Sequence, residues 1–256
     1  MNTQTETVKY PASSFGSILT VKKPDLRNKV LSFYDSFPFP KHPLWCGILN
    51  KKFSLSQIVE AEKQHYLRTK AGQKLRQQSA QYSRTGSAKI FEAALSNYLE
   101  EVAPDNSHPS HLELIQRLLT IAGVTDNQLK RTKPTPANAA AIALYKDIAE
   151  RGAACHLVGA GAVEYHYSKL APKIFDAYVK LYGMTEYQAE TYKLHGPMDE
   201  AHANRALEVL DEAVAVDGWA AIEASVRDAF VATSLHYDGM LQAASNRTDY
   251  WNGEDT

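Results

Sequence analysis

Cysteine is nearly absent: Cys46 and Cys155 are the only two among 256 residues, in unrelated contexts and with no CxxC spacing. That excludes a disulfide framework and a thiolate zinc site. An excess of charge of one sign is missing too, since 28 Lys and Arg are interspersed with 29 Asp and Glu. No basic stripe suits nucleic acid and no polybasic segment suits an anionic membrane, so the expected partner is a small molecule. No stretch approaches the roughly 18 consecutive apolar residues of a membrane span. The opening MNTQTETVKYPASS has neither a basic end nor an apolar run, and a cytoplasmic protein is expected. Runs of alternating β-branched residues, the usual signature of strands, are also lacking.

What remains is helical. Breakers fall at KKPD (22–25), FPFPKHP (37–43), RTGS (84–87), APDNSHPS (103–110), KPTP (133–136) and YGMT (182–185). Between them apolar residues recur with a period near 3.6. Ser54-Leu55-Ser56 can cap a helix running to about Tyr82, and Ser107 or Pro109 can open another through His111, Leu114, Leu118 and Ile121. The pattern predicts an all-α fold, a single bundle of about seven or eight helices over residues 21–250, preceded by a loosely ordered arm over 1–20.

Chemistry concentrates in HGPMDEAH, residues 195–202. On a helix, positions i, i+4 and i+7 project within about 60° of one another, so His195, Asp199 and His202 share a face. They are either metal ligands or the solvated side of a helix that buries Leu207, Val209 and Leu210. Pro197 is comfortable only in a first turn, which places His195 at or just before the helix start. In HLVGAGAVEYHYSKL (156–170) an apolar run ends in Glu164, which if buried must be paired, protonated or metal-bound. The small residues Gly159 to Ala162 let another backbone or a substrate approach closely. In FEAALSNYLEEV (91–102), Phe91, Leu95, Tyr98, Leu99 and Val102 define an apolar face with Glu101 on its flank and Glu100 nearly opposite. His111 falls inside the next helix near its start, and His108 in the loop before it. Glu100 against Glu101, and His108 against His111, stay open alternatives.

Taken in order, Glu101 with His111, then Glu164, then His195-x3-Asp199-x2-His202, on an all-α chain of this length, resembles the haem-oxygenase-like diiron oxidases and oxygenases, a family that shares its fold with the TenA thiaminases and PqqC-type cofactor synthases. The resemblance covers roughly residues 40 to 245. It implies a haem-oxygenase-like bundle whose metal ligands are Glu101, His111, Glu164, His195, Asp199 and His202, holding two Fe(II) per chain with O2 as co-substrate. Three imidazoles and three carboxylates suit Fe(II) or Mn(II) better than thiophilic metals. Shared between two metals, they leave open positions that a single closed octahedron lacks. The implied activity is that of an O2-dependent non-haem diiron oxidoreductase, activating O2 as a peroxo-diferric species and acting by N-oxygenation of an amino acid or by C–C cleavage to an alkene- or nitrile-type product, in a biosynthetic pathway. No catalytic residue beyond the metal centre is nominated.

Two features depart from the family pattern. Some relatives add a carboxylate from the long preceding helix, and its place falls near Gly72 in LRTKAGQKL, where nothing can ligate, so the second iron is expected to be less firmly held. A member that consumes its own side chains to make an aminobenzoate uses a lysine ten residues after the mid-chain Glu. That position is Ile174 here, beside Lys173, and self-sacrifice is not expected.

The competing class is a metal-free enzyme on the same fold. Cys155 lies nine residues before Glu164, out of register with a TenA-type nucleophile, and His65, Arg68, Lys70, His166 and His236 could line a PqqC-type cationic pocket for a thiamin- or cofactor-related molecule. A helical scaffold without chemistry leaves Glu164 unexplained. Among 14 tyrosines, Tyr98, Tyr165, Tyr167 and Tyr192 lie near the candidate ligands and suggest an aromatic-lined pocket. The expected substrate is amino-acid-like, aromatic or aliphatic, with a fatty acid second. A homodimer is compatible with such bundles.

Overall fold

The computed structural model describes residues 25–83, 86–103 and 108–247. The arm expected over residues 1–20 lies outside them. No strand occurs among the described residues, which form twelve α-helices. These are Leu26–Ser32 (α1), Pro43–Leu49 (α2), Leu55–Ser83 (α3), Ala88–Val102 (α4), His111–Ile121 (α5), Asp126–Arg131 (α6), Pro136–Arg151 (α7), Ala153–Tyr167 (α8), Ala171–Tyr182 (α9), Glu190–Glu208 (α10), Leu210–Asp217 (α11) and Trp219–Ala244 (α12). None is long and apolar enough to cross a membrane.

The class is as read from the sequence and the count is higher. Short helices account for the excess. Pro43 is the first residue of α2, with the His42 ring capping the Leu44 amide at 3.2 Å, so a Pro-rich stretch read as a breaker also starts a helix. Gly152 (φ +153°) separates α7 from α8 and Gly218 (φ +80°) separates α11 from α12. Both are single glycines rather than Pro-rich clusters, and both take left-handed φ values that other residues resist.

Helix α3 starts as expected, with Ser54 and Gln57 exchanging backbone-to-side-chain hydrogen bonds of 3.2 and 2.8 Å. The cap of α5 is Ser110, which forms a capping box with Glu113, rather than Ser107 or Pro109. Ser110 is the residue whose side chain reaches an unpaired first-turn amide.

Helix α8 is apolar nearly all round and is buried along most of its length, the environment such a helix needs. It packs against α10 and α12, and α12 packs in turn on α3 and α7. The small residues of α8 serve backbone approach. A Cβ on Gly161 would overlap the Ala206 methyl of α10, and one on Gly159 would lie 3.2 Å from the Ser225 carbonyl of α12. A Cβ on Gly72 of α3 meets nothing within 4 Å. Gly161→Ala is therefore expected to destabilise the fold by about 1–3 kcal/mol through overpacking. Gly72→Ala should stabilise it by about 0.5–1 kcal/mol through helix propensity alone. Urea denaturation of the two variants checks the contrast.

Candidate metal centre

The six candidate ligands converge from four helices: Glu101 at the end of α4, His111 at the start of α5, Glu164 in the last turn of α8, and His195, Asp199 and His202 on α10. All six are buried. Their donor atoms form two overlapping groups, Glu101 with His111 and His195, and Glu101 with Glu164, Asp199 and His202. Within each group the atoms lie within 4.8 Å of one another. Glu101 belongs to both.

Helix α10 departs from expectation at its start. It begins at Glu190, so His195 and Pro197 are interior and His195 does not mark the entry. Pro197 still removes the hydrogen bond its N–H would make. Gly196 before it lacks the Cβ that normally clashes with the proline ring, which makes helical backbone accessible there. Its missing Cβ also makes room for the Pro172 ring of α9, 3.2 Å from where that atom would be.

Helix α4 departs as well. Its buried face is Ile90, Ala93, Ala94, Asn97 and Glu101, whereas Leu99 is exposed and Phe91, Leu95, Tyr98 and Val102 are half-buried. The bundle takes the small-residue face because α4 must lie close to α3 and α10. Asn97 then bonds across to α10, donating to the His202 carbonyl at 3.4 Å and accepting from Arg205 Nε at 2.7 Å. Glu101 sits on the inner face rather than its flank.

Glu100 lies outside the cluster, half-exposed, and accepts from His202 Nε2 at 3.1 Å and from Arg205 at 2.5 Å. That bond leaves His202 Nδ1 facing Glu164 (3.8 Å) and Glu101 (3.9 Å). His195 Nδ1 donates to the Thr191 carbonyl at 2.5 Å, and His111 Nδ1 lies 2.9 Å from Glu101. Each imidazole thus has one nitrogen oriented by a partner and the other free, the arrangement by which outer contacts fix a ligand's tautomer. His108 lies near the surface, its Nδ1 donating to the Pro109 carbonyl at 3.1 Å.

The free atoms provide a test of fit. His111 Nε2, His195 Nε2, His202 Nδ1 and Glu164 Oε2 are all buried without a hydrogen-bond partner among the described residues. One such atom costs about 1–3 kcal/mol. Four of them among the candidate ligands, all nitrogen or carboxylate oxygen, fit a divalent cation of the Fe(II) or Mn(II) kind.

One cation is already present. Arg76 of α3 pairs with Glu164 and lies 3.5 Å from Glu101. Sequence reading missed it, although buried positions 58, 62, 65, 69 and 79 of α3 mark a stripe that includes 76. It lies one turn beyond Gly72, where some relatives place a further carboxylate.

Protonation follows from these neighbours. Burial pushes the Glu101 carboxyl up, but Arg76 and His111 outweigh it and hold the group well below the usual range. Burial, with Glu164 and Glu101 nearby, raises Asp199 well above its ordinary value. Burial and then the neighbouring His195 lower His111 to about 3, and burial lowers His195. The metal-free cluster therefore favours neutral imidazoles at these two histidines and the protonated form of Asp199, and a cation has to displace the proton that this carboxyl holds. Apparent Fe(II) affinity is expected to fall as pH drops from about 7.5 to 6, by up to roughly tenfold per unit for each proton expelled. Proton release during anaerobic titration in weak buffer measures it.

The cluster opens onto a cavity with two lobes. One is lined by Trp45, Tyr167, His236 and Tyr237, the other by Gly72, Ile142, Tyr145 and His156, and Arg68, Arg76, Glu101 and His111 border both. Of the tyrosines noted in the sequence, only Tyr167 is in the wall. Tyr192 instead donates to buried Glu62 at 2.5 Å, as does Tyr178, and His65 Nδ1 approaches the same carboxylate at 3.1 Å. Neither cysteine reaches the cavity, since Cys46 Sγ donates to the Pro40 carbonyl and Cys155 Sγ to Asp217. Ile174 is buried in the core, Lys173 is exposed, and no lysine is among the lining residues.

A family model described as iron-containing redox enzyme matches residues 66–235, a span that contains every candidate ligand. The chain belongs to this family. It is 28% identical over 173 residues, covering 66% of this chain and 70% of the other, to a 4-aminobenzoate synthase of Chlamydia trachomatis. Among solved structures it resembles a domain of unknown function with a haem-oxygenase-like fold from Shewanella denitrificans (TM-score 0.68, 18% identity, 85% of this chain and 90% of that one). It also resembles a CADD-like protein of unknown function from Nostoc punctiforme (TM-score 0.67, 16% identity, 85% and 96%) and a TenA family transcription regulator from a Silicibacter species (TM-score 0.63, 13% identity, 86% and 95%). At these identities the structural likeness shows the haem-oxygenase-like fold alone.

Proposed function

We propose that the chain is a cytoplasmic non-haem diiron oxidase that consumes O2 to oxidise an amino acid or amino-acid derivative, by N-oxygenation or oxidative C–C cleavage, in a biosynthetic pathway. One observation carries this reading: six buried donors fall into two overlapping groups that share Glu101, with four donor atoms left unpaired. His111 and His195 with Glu101 form a two-histidine, one-carboxylate set, and Glu164, Asp199 and His202 with Glu101 form a carboxylate-rich one. Bound iron supplies the O2 reduction and the oxidising power. The protein's own groups do the rest. Glu100 and the Thr191 carbonyl hold two imidazoles in register, and apolar walls from Trp45, Val163 and Met240 limit water at the reacting atoms.

Cavity size favours a compact substrate. The two lobes offer about 50 and 40 Å³ to a water-sized molecule, room for a few waters or a small organic group rather than a long acyl chain. The likeness to a 4-aminobenzoate synthase keeps aromatic amino acids among the candidates. A cavity wall without lysine gives no amine of that kind for the protein to sacrifice.

The metal-free reading has one observation in its favour, the basic wall made by Arg68, Arg76, His65 and His236. Lys70 is exposed and His166 stacks on Tyr34 at 3.8 Å, so neither joins it. Anaerobic Fe(II) loading followed by rapid mixing with O2 separates the two readings. Iron-dependent O2 uptake stimulated by amino acids, with a transient visible band lost in His202→Ala and Glu164→Ala, supports the oxidase. No iron uptake, or uptake indifferent to both substitutions, returns the metal-free enzyme to first place.

A further inference from the structure

Arg68 stands apart from the other arginines around the site. Arg76 has Glu164 and Glu101, Arg205 has Glu100 and Arg117 has Glu190, whereas Arg68 makes no salt bridge among the described residues. Its one side-chain hydrogen bond among the described residues is to the Tyr145 hydroxyl at 3.4 Å, and its guanidinium lies 5.0 Å from the centre of that ring. Thr233 donates to the Ala229 carbonyl (2.8 Å), which leaves its oxygen to accept from the Tyr145 hydroxyl (2.5 Å). The phenol oxygen is thereby turned toward Arg68 as an acceptor. The chain of bonds holds the guanidinium in place and uses one of its five N–H donors.

A guanidinium bordering both lobes of an interior cavity without a carboxylate partner is costly to keep. Arg68, Gly72 and Arg76 also lie on one face of α3, at i, i+4 and i+8, and the missing side chain at Gly72 leaves open space between the two guanidiniums. Arg76 touches the metal ligands, and Arg68 is two turns away, about 12 Å along the helix axis.

We infer that Arg68 is the anchor for a carboxylate on the substrate, which binds along the Gly72 face of α3 with its far end toward the candidate metal ligands. The inference deepens the proposed function and rests on it for the direction in which the substrate lies. It restricts the substrate to a small monocarboxylate, an amino acid or an aryl acid, and rejects amines and neutral amides of the same shape. Planar, two-pronged pairing is what an arginine offers a carboxylate and a lysine does not.

Titration calorimetry with benzoate and its neutral isostere benzamide tests this, on wild type, Arg68→Met, Arg68→Lys and His202→Ala, each with and without Mn(II). Wild type is expected to bind benzoate over benzamide, Arg68→Met to lose roughly 10- to 100-fold in benzoate affinity, and Arg68→Lys to fall between. Thermal melts confirm that the variants are folded. Benzoate binding no tighter than benzamide in wild type overturns the inference. So does benzoate binding that needs Mn(II) and His202 but ignores Arg68, which places the carboxylate on the metal and leaves the metal centre standing. Benzoate binding that depends on Arg68 in a chain that takes up no metal supports the anchor while the oxidase reading fails.

Discussion

On the proposed diiron reading, Glu101→Ala is expected to strip iron from both donor groups, whereas His195→Ala and His202→Ala each strip it from one. The expectation follows from Glu101 being the only donor common to the two groups. Without it, the first position keeps two imidazoles and no carboxylate, and the second loses one of three carboxylates from a set built on them. His195→Ala leaves the second group intact, and His202→Ala leaves the two-histidine, one-carboxylate set intact, a known way of holding Fe(II). Iron retained after anaerobic loading and desalting should therefore fall from about two per chain, one for each donor group, to about one in either histidine variant and well below one in Glu101→Ala. Equal retention in Glu101→Ala and His195→Ala would refute a shared carboxylate. The variant also leaves Arg76 and His111 without a partner, so circular dichroism of the metal-free protein must accompany the count. Glu100→Gln provides the contrast. It touches His202 from outside, and a weakening of roughly 10- to 100-fold is expected rather than loss.

The bundle and its candidate ligands were legible for different reasons. Periodicity near 3.6 and the lack of alternating strands gave the class. An apolar run ending in a charge gave Glu164, because such a charge needs an explanation wherever the run packs, and i, i+4, i+7 spacing put His195, Asp199 and His202 on one face. The face of α4 was misread because amphipathicity assumes that the largest apolar side chains go inside. There the close approach of α3 and α10 selects alanines, and Leu99 is left outside. His195 was placed at a helix entry because Pro197 ordinarily breaks a helix, and Gly196 is what lets α10 run through. Arg76 was the hardest to see, whereas Arg68 was read only as one of five residues that could line a cationic pocket. A basic residue on a mostly polar helix reads as solvated surface, and only the buried register of α3, set by what packs on it, turns the two inward.

Arg76→Met should cost the metal-free protein about 3–5 kcal/mol, the range for removing one partner of a buried ion pair, and a divalent metal should restore most of it. Arg76 is the cation that compensates Glu164 and Glu101 when no metal does so. For a chain of this size the loss corresponds to a fall in Tm of roughly 10 °C or more. Mn(II) bound at the candidate ligands would supply the missing charge, so adding it should raise the variant's Tm by more than that of wild type. The pH dependence fixes the cause. In wild type the Glu101 pKa is depressed, with Arg76 and His111 outweighing burial, so its contribution is present above the ordinary glutamate range and lost as pH falls through it. Without Arg76 only His111 and His195 still oppose burial at Glu101, so its contribution above the glutamate range should shrink and the stability gap between variant and wild type should widen as pH rises from about 4 to 8. Melts at both ends of that range, with and without Mn(II), read all three effects. A variant as stable as wild type at pH 8 without metal would mean that Arg76 does not balance the buried carboxylates. It would also mean that entry of a metal need not displace it.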